Sequence, residues 1–328
     1  MKTMKKTLIA VATASMLVGG AVAQSNVVIY GELDAGIGQR YSGEDVGMIS
    51  NYAGTSRWGL RGSEDLGNGL KANFNFESGS IELGDGSVGG SGSFNRQAWV
   101  GLSGSFGSLM VGRTTTPQNR VMGTFDLNGT ADGSSALKAI GLAANGNLGG
   151  SRQNAQVQYA TPNFNGLQLR VAYATNDNTE TDKAFAQAAV SYKTGGLTIG
   201  GVIHKKMNDA QRTGYALGAK YDFGSIVVSG FYTRDETEDT RTNLGGGDGF
   251  GLGIAAPIGA FTVGLQAAYL NHDNNAVDGA TAYELFGNYS LSKRTKLYAA
   301  AGYVNDEAER RGGYKEDTTF GIGILHKF

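Results

Sequence analysis

The sequence contains no cysteine and only 3 prolines in 328 residues. An exported chain of this size without cysteine holds itself together without disulfides. Outside residues 8–18, no stretch approaches the roughly 18 to 20 consecutive apolar residues that a membrane-spanning helix needs. Any membrane insertion must therefore use strands, because only helices and closed barrels satisfy every backbone polar group inside lipid. An excess of positive charge is missing as well: 28 Lys and Arg stand against 29 Asp and Glu, and setting aside residues 1–23 with Lys2, Lys5 and Lys6 leaves 25 against 29, a net of −4. That balance argues against nucleic acid as a partner. His204, His272 and His326 lie far apart with no paired spacing, so neither a metal site nor a Ser/His nucleophile is signalled, and no cofactor is expected. The glycine clusters at 84–92 and 245–247 precede no helical pattern and read as loop tips, not phosphate cradles.

What is present points to an exported sheet protein. Lys2, Lys5 and Lys6, the apolar run 8–18 and Ala21-Val22-Ala23 have the layout of a cleaved signal peptide over residues 1–23, leaving 24–328 for the fold. The 53 glycines, 15 tyrosines and 14 phenylalanines suit tight turns and a packed, twisted wall. From Val27 the chain alternates with period two: Val27, Ile29, Leu33, Ala35 and Ile37 share one face, while Tyr30, Glu32 and Asp34 share the other. Arg57 and Arg61 alternate in the same way with Trp58 and Leu60, and Lys71, Asn73, Asn75 and Glu77 alternate with Ala72, Phe74 and Phe76.

Read to its end, the chain holds sixteen such segments, at 27–38, 55–63, 69–78, 94–104, 107–113, 152–161, 165–175, 183–194, 197–206, 212–222, 225–234, 248–257, 260–271, 280–290, 294–304 and 317–328. Very short links alternate with long polar ones at 39–54, 79–93, 114–151, 176–182, 235–247, 272–279 and 305–316. One rim of turns, one rim of loops, an even strand number and one apolar face per strand are the marks of an all-β, 16-stranded antiparallel transmembrane barrel. Tyr30, Tyr159, Tyr173, Tyr192, Tyr221, Tyr232, Tyr269, Tyr289 and Tyr303 lie near strand ends, where interfacial girdles would sit. The acidic runs Asp235, Glu236, Glu238, Asp239 and Asp306, Glu307, Glu309, Glu316, Asp317 read as solvated loops, with divalent cation binding as the alternative.

Several segments resemble the general porins of Gram-negative bacteria, of the Neisseria, Burkholderia and Comamonas kind: Val28-Ile29-Tyr30-Gly31, the run from Ser56-Arg57-Trp58-Gly59 to Asp65-Leu66-Gly67, Asn95-Arg96-Gln97-Ala98-Trp99-Val100-Gly101-Leu102, Val111-Gly112-Arg113 and the closing Ile324-Leu325-His326-Lys327-Phe328. The resemblance implies an outer-membrane homotrimer set among lipid and lipopolysaccharide, each barrel narrowed by an inward-folded third long loop at 114–151 that passes small hydrophilic solutes and ions. The Pro-Glu-Phe-Gly motif of enteric porins is absent from that loop, which carries Gly123-Thr124-Phe125-Asp126-Leu127 instead. Strand parity puts Arg57 and Arg61 on the lumen face; the resemblance adds Arg113 and Arg152 to that wall and makes Asp126 and Asp132 the facing acids. A basic ladder of this kind gives a mild anion preference, opposed by Glu32 and Asp34 on the first strand. Three other readings remain open: a substrate-specific porin, a plugged adhesin-type or structural barrel, and a barrel hydrolase, for which no convergent Ser/His or Asp/His set is found.

Overall fold

The computed structural model describes residues 26–43, 45–90, 92–140, 150–175, 184–207, 213–235, 246–273 and 278–328. The candidate signal peptide and most of the acidic run 235–239 lie outside them. The wall comprises β1 (Asn26–Gln39), β2 (Gly47–Ser50), β3 (Arg57–Gly67), β4 (Leu70–Gly79), β5 (Gln97–Gly104), β6 (Gly107–Thr115), β7 (Arg152–Ala160), β8 (Leu167–Ala174) and β9 (Ala184–Thr194). It continues through β10 (Leu197–Met207), β11 (Thr213–Asp222), β12 (Val227–Asp235), β13 (Gly247–Ile258), β14 (Phe261–His272), β15 (Ala280–Ser290), β16 (Thr295–Val304) and β17 (Thr318–Lys327). From β3 to β17 each strand pairs antiparallel with the next, β3 pairs with β1, and β1 closes on β17 from Glu32↔Lys327 to Gln39↔Phe320. Closure leaves no unpaired edge to face lipid.

Seventeen strands make sixteen wall positions, because β3 and β2 occupy one position in succession. β3 pairs with β1 over residues 26–32, and β2 pairs with the same strand over 35–38. The sequence reading places a single strand at 55–63 and a loop at 39–54; the wall is instead interrupted at 51–56. Asp34 repairs the gap. Its carboxylate accepts from the backbone N–H of Ala53 at 2.6 Å and of Gly54 at 2.8 Å, and from the Tyr298 hydroxyl at 2.7 Å. These bonds replace ladder bonds that the interruption removes.

The two faces of the wall have inverted polarity relative to a soluble sheet. Leu252 is 70% and Ile322 66% exposed, whereas Gln156, Gln158, Gln266 and Glu284 on the opposite face are buried. An outward apolar band is stable only in lipid, so Leu252→Arg, midway along β13, should destabilise membrane-folded protein by ~2–4 kcal/mol, the range for a charge near the bilayer midplane. Reversible urea titration in vesicles reads this directly; an unchanged midpoint would contradict a lipid-facing Leu252.

Aromatic residues mark the two ends of that band. Tyr192, Tyr221, Phe261 and Tyr289 lie exposed towards the short turns, and Tyr173, Tyr215, Phe250, Tyr269, Tyr283 and Tyr303 towards the long loops. Tyr30 belongs to neither girdle. Its hydroxyl donates inward to Glu77 at 2.8 Å and Asn75 at 2.9 Å.

The third long connection carries short ordered elements: α1 (Pro117–Met122), a 3-10 turn (Gly123–Phe125) and α2 (Ala136–Ala139). Thr116 caps α1 by accepting from the Asn119 N–H at 3.2 Å, and Pro117 occupies the first turn, where its missing donor costs nothing. Val121, Met122, Phe125 and Leu137 form one buried cluster with Val202, Ala216, Phe231 and Ala268 of the wall. The wall residues of that cluster alternate with the exposed apolar ones, so the segment packs on the inner face. Gly218 permits the approach: a Cβ there would stand 2.3 Å from the Phe125 ring. At 305–316, read from sequence as a loop, α3 (Asp306–Gly312) forms between an Asn305 cap and Gly313 at φ 65°. Asp306, Glu307 and Glu309 occupy its first turn, where carboxylates favour the exposed backbone N–H groups.

Candidate functional site

Inside the barrel, between the inner segment and the wall around β1, β3, β7, β16 and β17, lies a cavity of ≈ 570 Å³. Its charged lining is Arg40, Arg57, Arg96, Lys138, Arg152, Lys296 and Lys327 against Glu32, Glu82 and Asp132. Register explains why cations gather there. Arg57 stands opposite Glu32 in the β1/β3 ladder and opposite Gly79 in β3/β4, and the missing side chain of Gly79 leaves room for Arg96, so Arg57 has a carboxylate on one side and a second guanidinium on the other. Arg57 Nη1 reaches Glu32 Oε1 at 3.1 Å, and Lys327 Nζ reaches Glu32 Oε2 at 3.4 Å. Glu77 takes Arg96 Nε at 2.6 Å and Arg57 Nε at 3.9 Å. Glu32 and Glu77 are thus each shared by two cations, and both take Arg57, so three cations meet two carboxylates and positive charge stays in surplus.

The inner segment completes the ring. Asp132 accepts from the Thr55 hydroxyl and pairs with Lys138. Burial first, then the Arg152 and Arg96 guanidinium groups, push the Lys138 ammonium down from 10.5 to about 8, with Asp126 opposing. A lysine depressed in this way is fully charged below that value and loses its proton as the pH passes through it. The same shift makes the folded state bind fewer protons than the unfolded one between about 8 and 10.5, so this group adds stability as the pH rises across that window. Anion preference should accordingly fall when the pH is raised from 7 to 9, and Lys138→Arg should abolish the change; a flat profile in the unsubstituted chain would sink this assignment.

Of the eight residues singled out from sequence, Arg57, Arg152, Glu32 and Asp132 line this cavity. Arg61 lies further towards the short turns, its guanidinium 4.9 Å from the Tyr30 ring centroid. Arg113 sits at a bulge in the β6/β7 ladder, donating to the Asn95 carbonyl at 2.6 Å and to Asn154 Oδ1 at 2.6 Å. Two of the acids are buried behind the lumen surface. Asp34 closes the wall gap described above, and Asp126 accepts from Ser135, from the Asn128 N–H at 2.9 Å and from Gln266 Nε2 at 3.2 Å. Neither offers its carboxylate to passing solute.

Arg40, Arg96, Lys138, Lys296, Lys327 and Glu82 also line the cavity and are not among those eight. Parity gives a signal for two of them: Tyr298 and Leu325 are buried inward, so Lys296 and Lys327, two residues away, share their face. Lys138 and Glu82 lie on connections, where period two says nothing. The histidines stand apart from one another. His204 packs on Phe185, His272 Nε2 lies 4.0 Å from Glu307, and His326 bonds Thr295. No cluster of three or more His, Asp or Glu fit for a metal occurs among the described residues.

A closed sixteen-position barrel with a lipid-type outer band and a wet, charged interior narrows the comparison to one kind of protein. The family profile described as Gram-negative porin matches residues 7–309. The chain belongs to the Gram-negative porins. Outer membrane porin protein 32 of Delftia acidovorans is 33% identical, with 99% of this chain and all of the relative covered. An outer membrane porin protein of Bordetella pertussis is 30% identical over the same shares. Among solved structures, an anion-selective porin from Comamonas acidovorans superposes with a TM-score of 0.76 at 28% identity, covering 93% of this chain and all of that one. Salmonella typhi OmpF, at 16% identity and a TM-score of 0.73, covers 92% of this chain and 97% of its own, and shares the fold. The porin is therefore an outer-membrane barrel.

Proposed function

We propose that this porin is a general diffusion channel with a modest anion preference, moving ions and small hydrophilic solutes down their gradients without altering them, and that the inner segment within 114–151 forms its constriction. The observation that carries the reading is the charge at the ≈ 570 Å³ cavity: seven cations against three carboxylates. Screening confines a charge's reach to about 8 Å at physiological salt, so this local surplus outweighs the acidic balance of the whole chain. Sixteen strands leave a lumen too wide for side chains to fill, so permeation is diffusion past the charges that ring it. The anion-selective relative supports the sign. Assembly as a homotrimer among outer-membrane lipid and lipopolysaccharide rests on the family likeness, and a heat-labile trimer band on unheated gels tests it.

Liposomes containing the purified porin should swell in neutral sugars at rates that fall smoothly with sugar mass and rise linearly with concentration. A substrate-specific porin would saturate with one sugar, and a plugged barrel would not swell at all.

A further inference from the structure

A second cavity of ≈ 560 Å³ opens on the inner wall nearer the short turns, lined by Val28, Arg61, Trp99, Met110 and Arg120 together with amide and hydroxyl side chains of Asn73, Asn75, Gln97 and Ser103. Its composition is unusual for a lumen face. Register sets Val28 against Arg61, Arg61 against Asn75, Asn75 against Trp99 and Trp99 against Gly112, one row across four strand pairings. Side chains in such a row stand about 5 Å apart. Trp99 stands opposite Gly112 in its own row, and it lines the cavity together with Gly101, two residues along. Its Nε1 donates to Gln97 Oε1 at 3.1 Å, which fixes the indole in the wall. Arg120 enters from α1; among the described residues its guanidinium makes one hydrogen bond, a long one to Thr114 Oγ1 at 3.4 Å. No carboxylate pairs with Arg61 or Arg120 among the described residues, unlike Arg57 and Arg96 above them.

We propose that this cavity is a binding subsite for small arylcarboxylates, in which Arg61 and Arg120 take the carboxylate, Trp99 takes the ring and the amides bind its polar substituents. The two guanidinium groups are the free fork-shaped donors that a carboxylate fits. Indole, Met110 and Val28 supply an apolar face that an inorganic anion or acetate cannot use, whereas a flat ring can stack there. The inference rests on the channel reading, since a ligand reaches the cavity only through an open lumen. Transit would then be slowed for aromatic acids and unhindered for chloride.

The porin has 2 tryptophans, and Trp58 is exposed on the outer face. In Trp58→Phe, Trp99 is the remaining tryptophan, and its emission is excited selectively over that of tyrosine. Benzoate should shift its emission saturably, cyclohexanecarboxylate more weakly and acetate not at all. Arg61→Gln with Arg120→Gln should weaken benzoate about tenfold or more, the effect of losing charge-assisted bonds. Chloride conductance of the same preparation is recorded in parallel. Intact chloride steps with a linear, unsaturating benzoate response, or an unchanged affinity in the double variant, would overturn the subsite alone. Absent chloride steps from folded protein would overturn the channel reading beneath it.

Discussion

Arg152→Glu combined with Lys327→Glu should remove most of the porin's anion preference. Each reversal subtracts one cation from the cavity lining and adds one carboxylate, turning seven against three into five against five. Among the described residues Arg152 donates to Ser151 Oγ at 3.2 Å and makes no ion pair, so its replacement strands no carboxylate. Lys327 is more than half exposed, and Glu32 keeps Arg57 when it is lost. Both positions lie at strand ends on the cavity lining, Lys327 largely exposed and Arg152 half-buried, so each new carboxylate opens onto the cavity. Selectivity should move while single-channel conductance at high salt stays close to that of the unsubstituted protein, since screening there shrinks the reach of every charge to about 3 Å. A double variant that keeps the original preference would place the filter elsewhere.

Glu284→Leu should loosen the inner segment from the wall. The buried carboxylate accepts from Asn128 Nδ2, the Ser134 hydroxyl and Gln266 Nε2, each at 2.7 Å, and Gln266 in turn accepts from the Leu127 N–H at 2.7 Å. Two loop residues and one wall residue thus share a single acceptor. Leucine fills similar space and accepts nothing, leaving three buried donors, each worth ~1–3 kcal/mol when unsatisfied. The segment should shift to recover those bonds with water, giving larger and noisier current steps and a lower thermal midpoint. Glu284→Gln retains a carbonyl acceptor and should fall between the two. Steps of unchanged size and noise in Glu284→Leu would show that the apolar anchor around Phe125 suffices to hold the segment.

Period-two alternation made the wall legible, because lipid outside and water inside force every strand to present opposite faces. Arg57 and Glu32 could be placed on the lumen by counting alone, and their register later brought them into contact. Asp34 obeys the same parity and yet is buried, because the break at 51–56 that it mends has no signature in hydrophobic pattern. Asp126 was found in the right loop but not in its role: whether a loop carboxylate faces solute or staples the loop depends on Gln266 and Ser135, the first of them 140 residues away. Lys138 was invisible for a related reason. Its place in the cation ring follows from how the segment docks, through Phe125 on Gly218, which only the closed barrel defines.

The most direct test of the central claim is the zero-current potential of the purified, refolded porin in a planar bilayer under a potassium chloride gradient at pH 7. A potential of the sign set by chloride moving faster than potassium is expected, shrinking in Arg152→Glu with Lys327→Glu and on raising the pH to 9. A stable channel with the potassium-selective sign would contradict the assignment of the cation ring as the filter, and the absence of any conducting step from well-folded protein would contradict the open pore itself.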